Sequence, residues 1–293
     1  MMYDALVVGG SFAGLSAAMQ LARARRRVAV VDAGQRRNRF AVSSHGFLGQ
    51  DGRAPGDIQG EARAQLAAYP NVSWHDGLAA TARRQGEGFE VEVGGTTLTA
   101  RRLVLATGVV DELPPVEGLA ERWGRSVFHC PYCHGYELNE GAIGVLASSP
   151  LSMHHALMLP DWGPTTLFLN EAFEPDAEQA RALAARSVTV EAMPIACITD
   201  EMTVVLADGR RLPLAGLFTA TRTRMASPLA EQLGCEFEQG PAGPYLRRLM
   251  METTVPGVFA CGDAAMAFAN VAIAVGDGAM TGAATHRSLI PGL

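Results

Sequence analysis

"ALVVGGSFAGLSAAMQLARARRRVAVVD", Ala5 to Asp32, decides the fold of this chain. An apolar run, Ala5 to Val8, meets Gly9-Gly10-Ser11-Phe12-Ala13-Gly14; a run of small residues follows, and a second apolar run, Val28 to Val31, ends on Asp32. Strand, glycine turn, helix, strand and terminal acid in that order predict a βαβ dinucleotide-binding unit. Each residue type has a physical task. Gly9 permits the tight turn, and Gly14 lets the helix pack closely on the sheet. The helix start, at Ser11, Phe12 and Ala13, offers unpaired N–H groups to a pyrophosphate, and Asp32 accepts from ribose hydroxyls. Ser11 stands where the middle glycine of G-x-G-x-x-G usually sits. Serine is small enough to leave the backbone within reach of phosphate. The plain alternative is an ordinary βαβ unit whose glycine turn holds no cofactor.

The 293 residues suffice for two domains and a well-buried core. A net charge of -6 and a pI near 5.7 argue against a nucleic-acid partner. All 24 basic residues are arginine, which excludes a Schiff-base or Walker-type lysine. The N-terminus reads as the first strand of a domain rather than a signal peptide, and no apolar run is long enough to span a bilayer. The expectation is a cytoplasmic protein with no membrane partner. Five cysteines are too few for a disulfide scaffold.

"FHCPYCHGYE", Phe128 to Glu137, sets Cys130 and Cys133 two residues apart. Such a pair serves as a zinc knuckle, a glutaredoxin-like thiol pair, a flavin-coupled disulfide or a structural staple. Zinc needs four ligands in a closed site, and there is no second pair to complete one, so no metal is expected. A glutaredoxin-like motif belongs near the start of a small domain, not in mid-chain. Two thiols so spaced at a helix start can close a disulfide, the helix dipole lowering the pKa of the accessible one.

Two further segments extend the dinucleotide pattern: "RRLVLATGV", Arg101 to Val109, an apolar strand running into Thr107-Gly108, and a strand ending in Gly262-Asp263 before the small-residue helix of Asn270, Val271 and Ala272. In this order the segments resemble two-dinucleotide-binding-domain flavoproteins. With the Cys-x-x-Cys between them, the chain is similar to low-molecular-weight thioredoxin reductases. The resemblance implies an α/β fold of two Rossmann-like three-layer domains, the FAD domain discontinuous: 1–113 and 228–293 for FAD, 114–227 for an NAD(P)-binding-like domain carrying the dithiol. It implies FAD held by Gly9, Ser11, Phe12, Ala13, Gly14, Asp32, Thr107, Gly108, Gly262, Asp263, Asn270, Val271 and Ala272. Arg39, His45 and Gly46, in "RRNRFAVSSHGFLGQDG", either border the flavin ring or form a solvent loop. Cys133 would face the flavin and Cys130 the substrate. His134 replaces the family's usual Asp as proton carrier, titrating near neutrality, or else only caps and packs. A homodimer follows by the same analogy.

The nicotinamide half departs from the pattern. "GAIGVLASSPLSMHHALML", Gly141 to Leu159, joins strand to helix through Ser148-Ser149-Pro150 with no glycine. No arginine occurs from Phe128 through Ala180, and Glu171 and Glu174 would repel a 2'-phosphate. NADPH is not expected to bind in the usual manner; NADH on Glu171, or cations supplied by Arg222 and Arg224, are the remaining arrangements. The Cys-Pro-Tyr-Cys-His stretch also resembles dithiol oxidases of the gliotoxin and holomycin type, in which electrons run from a substrate dithiol through the cysteine pair to FAD and on to dioxygen or another acceptor. Three functions follow: an FAD-dependent dithiol oxidase, or a reductase with an unusual electron donor; an NAD(P)H-dependent reductase of a thioredoxin-like protein; and a non-enzymatic flavin-containing redox sensor. The partner is a small dithiol or disulfide, or a thioredoxin-like protein.

Overall fold

Met2–Val8 and Val28–Asp32 lie side by side as parallel strands, with Ala5 opposite Val28 and Val8 opposite Val31. Their apolar runs are continuous because both faces of the sheet are covered. Alternate side chains serve opposite cores. Leu6, Val8, Ala29 and Val31 pack with Leu103, Leu105 and Val91 on one face. Ala5, Val7, Val28 and Val30 pack with Leu15, Ala18 and Leu21 of the helix Phe12–Arg23 on the other.

These strands belong to the first of two Rossmann-like α/β units in a computed structural model that describes residues 2–293. That unit comprises the chain up to Arg39, Pro55–Val110 and Thr223–Leu293. Its parallel strands run in the order Val258–Ala260, Thr96–Leu105, Met2–Val8, Val28–Asp32, Val72–Asp76. The C-terminal helix, Val271–Ser288, lies so close to Phe12–Arg23 that a Cβ on Gly278 would sit 2.1 Å from the carbonyl oxygen of Ala13. Only glycine allows that approach.

The second unit comprises Phe40–Ala54 and Asp111–Arg222. Its five parallel strands run in the order Thr189–Glu191, Thr165–Phe168, Ile143–Leu146, Gly216–Thr219, Val127–Phe128. An antiparallel trio, Ile195–Thr199, Thr203–Leu206 and Arg211–Pro213, adds Ile198, Val204 and Leu206 to one core. The other core joins Ile143, Val145, Leu167 and Phe218 to Met153 and Ala156 of the helix Ser152–Met158. The dithiol motif leaves the edge strand Val127–Phe128 directly.

The unit boundaries fall at Val110/Asp111 and Arg222/Thr223, against expected ones at Leu113 and Pro228. The segment Phe40–Ala54, read from sequence as part of the first domain, groups with the second. Its packing explains this. Phe40 Cβ lies 2.7 Å from where a Cβ on Gly124 would stand, and His45 meets Glu137.

Candidate redox-active site

In the first unit, Gly9 turns at φ +108°, and a Cβ there would lie 2.1 Å from the carbonyl oxygen of Ala106 and 3.4 Å from the Thr107 nitrogen. The Ala106-Thr107-Gly108 segment that follows the strand Thr96–Leu105 is thus pressed against the glycine turn. Ser11 is the N-cap of the first helix, with extended backbone and no side-chain capping bond. Serine therefore fits without strain at this position, and its side chain leaves the first-turn N–H groups of Phe12, Ala13 and Gly14 uncapped. Asp32 Oδ1 accepts from the Gly10 N–H at 3.1 Å, so the acid pins the turn it follows. Gly262 also abuts this helix: a Cβ on it would lie 2.9 Å from Ala13 Cβ. Asp263 pairs with Arg37 at 3.0 Å. Asn270 caps the C-terminal helix by accepting from Ile273 N at 2.9 Å, leaving Val271 and Ala272 in its first turn. Gly108 accepts from Ala226 N, and Arg39 donates to the Arg36 carbonyl. An uncapped helix start, a carboxylate at the end of the second strand and close-packed glycines match the donor set of a dinucleotide pyrophosphate and ribose.

Three supports in this unit, Gln59, Arg248 and Asp277, escaped the sequence reading. Gln59 donates to the Gly10 carbonyl at 2.8 Å and accepts from Arg36 at 3.0 Å. Asp277, buried, takes two bonds from Arg248, at 2.8 and 3.1 Å, and one from the Gly262 N–H at 2.8 Å. Cys261, fully buried beside Asp277, has its thiol pushed up to about 12 by burial and by that carboxylate, so it is inert. An acid inside a small-residue helix was the one available signal for Asp277.

In the second unit, Cys130 and Cys133 are joined as a disulfide, their Cα atoms 5.3 Å apart. Cys130 is the N-cap and Pro131 the first residue of a one-turn helix, Pro131–His134. One turn aligns few peptide dipoles, so little of the expected dipole effect on the thiol arises here. The ring of His134 stacks on Phe128 with centroids 4.2 Å apart, and its buried Nδ1 has no partner among the described residues. Burial, reinforced by His45, pushes its pKa down to about 4. The expectation of titration near neutrality is corrected: with the disulfide closed, His134 is a neutral imidazole at pH 7. His45 and Gly46 lie in this unit as well. His45 Nδ1 is 3.3 Å from Glu137 Oε1, its Nε2 is 3.0 Å from the Ser43 hydroxyl, and a Cβ on Gly46 would lie 3.8 Å from the Tyr132 carbonyl oxygen. Tyr132 and Tyr136 are exposed beside the cysteines.

The turn that would cradle a second dinucleotide is closed on itself. The Ser148 N–H donates to Ser152 Oγ at 3.0 Å, and the Ser148 hydroxyl donates to the Ala220 carbonyl at 2.6 Å. Ser149 Oγ accepts from Leu151 N at 3.3 Å. At the end of the next strand, Asn170 and Glu171 both adopt positive φ, and the Asn170 side chain accepts from Ile195 N at 2.9 Å. Among the described residues no group of three or more histidine, cysteine or acidic side chains is disposed to hold a metal ion, and no helix is long and apolar enough to cross a membrane.

The model of the pyridine nucleotide-disulphide oxidoreductase family matches residues 3–278. The chain is 31% identical to thioredoxin reductase tcpT of Claviceps purpurea, covering 99% of this chain and 95% of that protein. It is 32% identical to thioredoxin reductase sirT of Leptosphaeria maculans, covering 97% and 93%. A crystal structure of an oxidoreductase from Agrobacterium tumefaciens superposes with a TM-score of 0.96 at 56% identity, covering 98% of each chain.

Proposed function

This chain belongs to the pyridine nucleotide-disulphide oxidoreductase family, as a flavoprotein enzyme of thioredoxin reductase type acting on sulfur groups, and from that premise we propose that it works as an FAD-dependent dithiol oxidase. The observation that carries this reading is the Ser148-Ser149-Pro150 turn. Its hydroxyls and the Ser148 N–H are engaged within the chain, and no arginine follows until Arg181. A pyridine nucleotide would have to break those bonds to reach the backbone and would find no arginine between Phe128 and Ala180 for a 2'-phosphate. Electrons then enter from a substrate dithiol.

The residues that would hold FAD are Gly9 to Gly14, Asp32, Thr107, Gly108, Gly262, Asp263 and the helix start at Asn270, Val271 and Ala272, with Arg39 nearby in sequence. Bound FAD would supply a two-electron acceptor for the reduced cysteine pair, with dioxygen or another acceptor as the final oxidant. The chain's own cysteines perform the sulfur chemistry. A substrate thiolate attacks Cys130 Sγ; the Cys130–Cys133 bond breaks, and its electron pair leaves on Cys133. The second substrate thiolate attacks the substrate sulfur of the mixed disulfide, the substrate departs as its disulfide, and Cys130 leaves as thiolate. The substrate loses two electrons, and the pair gains two. His134, next in sequence to Cys133, is neutral with an open Nδ1 and a weak base while the disulfide is closed; a thiolate formed on Cys133 favours its protonated ring, and it then accepts a proton released by the thiols.

The test is oxygen uptake by the flavin-loaded protein supplied with dithiothreitol, or with NADPH and a thioredoxin-like protein. Uptake with the dithiol alone, matched by oxidised dithiothreitol, supports the proposal. Turnover that requires NADPH and the protein disulfide overturns it and favours the thioredoxin reductase reading, which the names of the relatives support.

A further inference from the structure

Gly10 fills a position of the glycine turn at which the G-x-G-x-x-G pattern asks for no particular residue, yet three side chains close on it. A Cβ there would lie 2.4 Å from Trp74 Cη2 and 2.7 Å from Asp32 Cβ. Its φ is not positive, so space and not backbone conformation demands glycine. The Gly10 N–H donates to Asp32 Oδ1 at 3.1 Å, and the Gly10 carbonyl accepts from Gln59 at 2.8 Å.

Trp74 is itself held. In the parallel pair Val28–Asp32 and Val72–Asp76, Trp74 stands opposite Val30 and Asp76 opposite Asp32. Asp32, Trp74 and Asp76 therefore share the face that Val30 turns to the helix Phe12–Arg23. The indole N–H donates to Asp76 Oδ1 at 2.9 Å, and the Arg63 guanidinium lies 4.1 Å from the ring centroid. Arg63 in turn bonds both Asp76 oxygens, at 3.2 and 3.3 Å. Gln59 and Arg63 are one turn apart on the helix Pro55–Ala67, so one face of it grips Gly10 both directly and through the Trp74 ring.

We propose that Trp74 is a positioning residue for the flavin cofactor, its indole edge seating Gly10 against Asp32 so that the carboxylate ending the second strand is held for a ribose hydroxyl. With Oδ1 engaged by the Gly10 N–H, Oδ2 remains to accept from that hydroxyl. A smaller ring frees Gly10 and the acid to move together, and the preorganisation of the acceptor is lost. The inference rests on the reading that Asp32 meets the ribose of FAD.

The experiment dilutes flavin-loaded protein into flavin-free buffer and follows release by the rise of free-flavin fluorescence. Trp74→Phe, which removes the ring edge at Gly10 and the indole N–H, releases flavin about tenfold faster. In an Asp32→Ala background the same change adds less than about twofold, because the group it positions is gone. Asp76→Ala, at an exposed side chain, also speeds release. Asp76→Asn, which keeps an oxygen for the indole N–H, stays within about twofold of the parent, since an exposed ion pair with Arg63 adds little. Unchanged release in Trp74→Phe, or an equal factor in both backgrounds, overturns the inference; release unaffected by Asp32→Ala overturns the reading beneath it. Should Trp74→Phe not fold, the two Asp76 variants decide. Faster release from Asp76→Ala alone supports the anchor, and equal release from both refutes it.

Discussion

Asp277→Asn tests how the Gly262-Asp263 turn is held. The Asp277 carboxylate is 7% exposed and satisfies three donors: Arg248 Nη2 on Oδ1, and Arg248 Nη1 together with the Gly262 N–H on Oδ2. Asparagine offers one oxygen and one NH2. With its oxygen at the Oδ2 position, Gly262 and Nη1 keep their acceptor, but the NH2 faces Nη2, donor against donor. Turned the other way, the NH2 faces two donors. Either orientation also leaves the guanidinium, whose side chain is 13% exposed, without its counter-charge. Removing one partner of a buried pair costs about 3–5 kcal/mol. At about 2–4 °C per kcal/mol for a unit of this size, the unfolding midpoint falls by about 6–20 °C. Calorimetry of the flavin-loaded protein measures the shift, and the flavin-to-protein absorbance ratio after gel filtration shows whether the variant retains flavin. A second variant, Arg248→Met with Asp277→Leu, removes both charges and is expected to recover most of the loss. A loss under about 1 kcal/mol in Asp277→Asn would show that water reaches the pair and that the turn does not depend on it.

Three other outcomes are expected. Cys130→Ser and Cys133→Ser each abolish dithiol turnover while flavin content stays at the parent level; protein purified without flavin would instead point to a structural disulfide. Acid lowers stability through His134 and His155, whose pKa values near 4 lie below the ordinary 6.5. The unfolded chain binds more protons between those values, so their contribution is complete above about pH 6.5 and lost as pH falls toward 4. At 1.36 kcal/mol per unit this is up to about 3 kcal/mol per histidine, less for half-buried His134. Guanidinium titrations at pH 7 and 4.5 read the change, and a His134→Phe, His155→Phe variant that keeps the full parental pH dependence would refute the assignment. Gly278→Ala forces a Cβ to within 2.1 Å of the Ala13 carbonyl oxygen, so the helices separate at about 1–3 kcal/mol; an unchanged unfolding midpoint would contradict that packing.

Local rules made much of this legible. Apolar–polar alternation is absent from the end of the first strand because both faces are covered, yet length and the following glycine turn still marked Ala5 to Val8 as a strand. Gly9 turns at positive φ and Gly14 packs against the Gly9 carbonyl, as the glycine spacing predicts, while Asp32 accepts from the Gly10 N–H. What sequence could not show depends on contacts between distant segments. Phe40–Ala54 reads as a continuation of the first domain, and only the approach of Phe40 to Gly124 and of His45 to Glu137 assigns it to the second. His134 carries an ordinary histidine pKa until Phe128 stacks on it and burial removes its water. Gln59, Arg248 and Asp277 gain meaning only from Gly10 and Gly262, which lie 49, 14 and 15 residues away. The serine turn was legible as a missing glycine; that its hydrogen bonds close on themselves was not.

Rapid anaerobic mixing of the flavin-loaded protein with dithiothreitol, NADPH or NADH, followed by flavin absorbance, tests the direction of electron flow most directly. The dithiol bleaches the flavin within the turnover time, and neither pyridine nucleotide does so at micromolar concentration. Fast bleaching by micromolar NADPH, with none from the dithiol, would contradict the account.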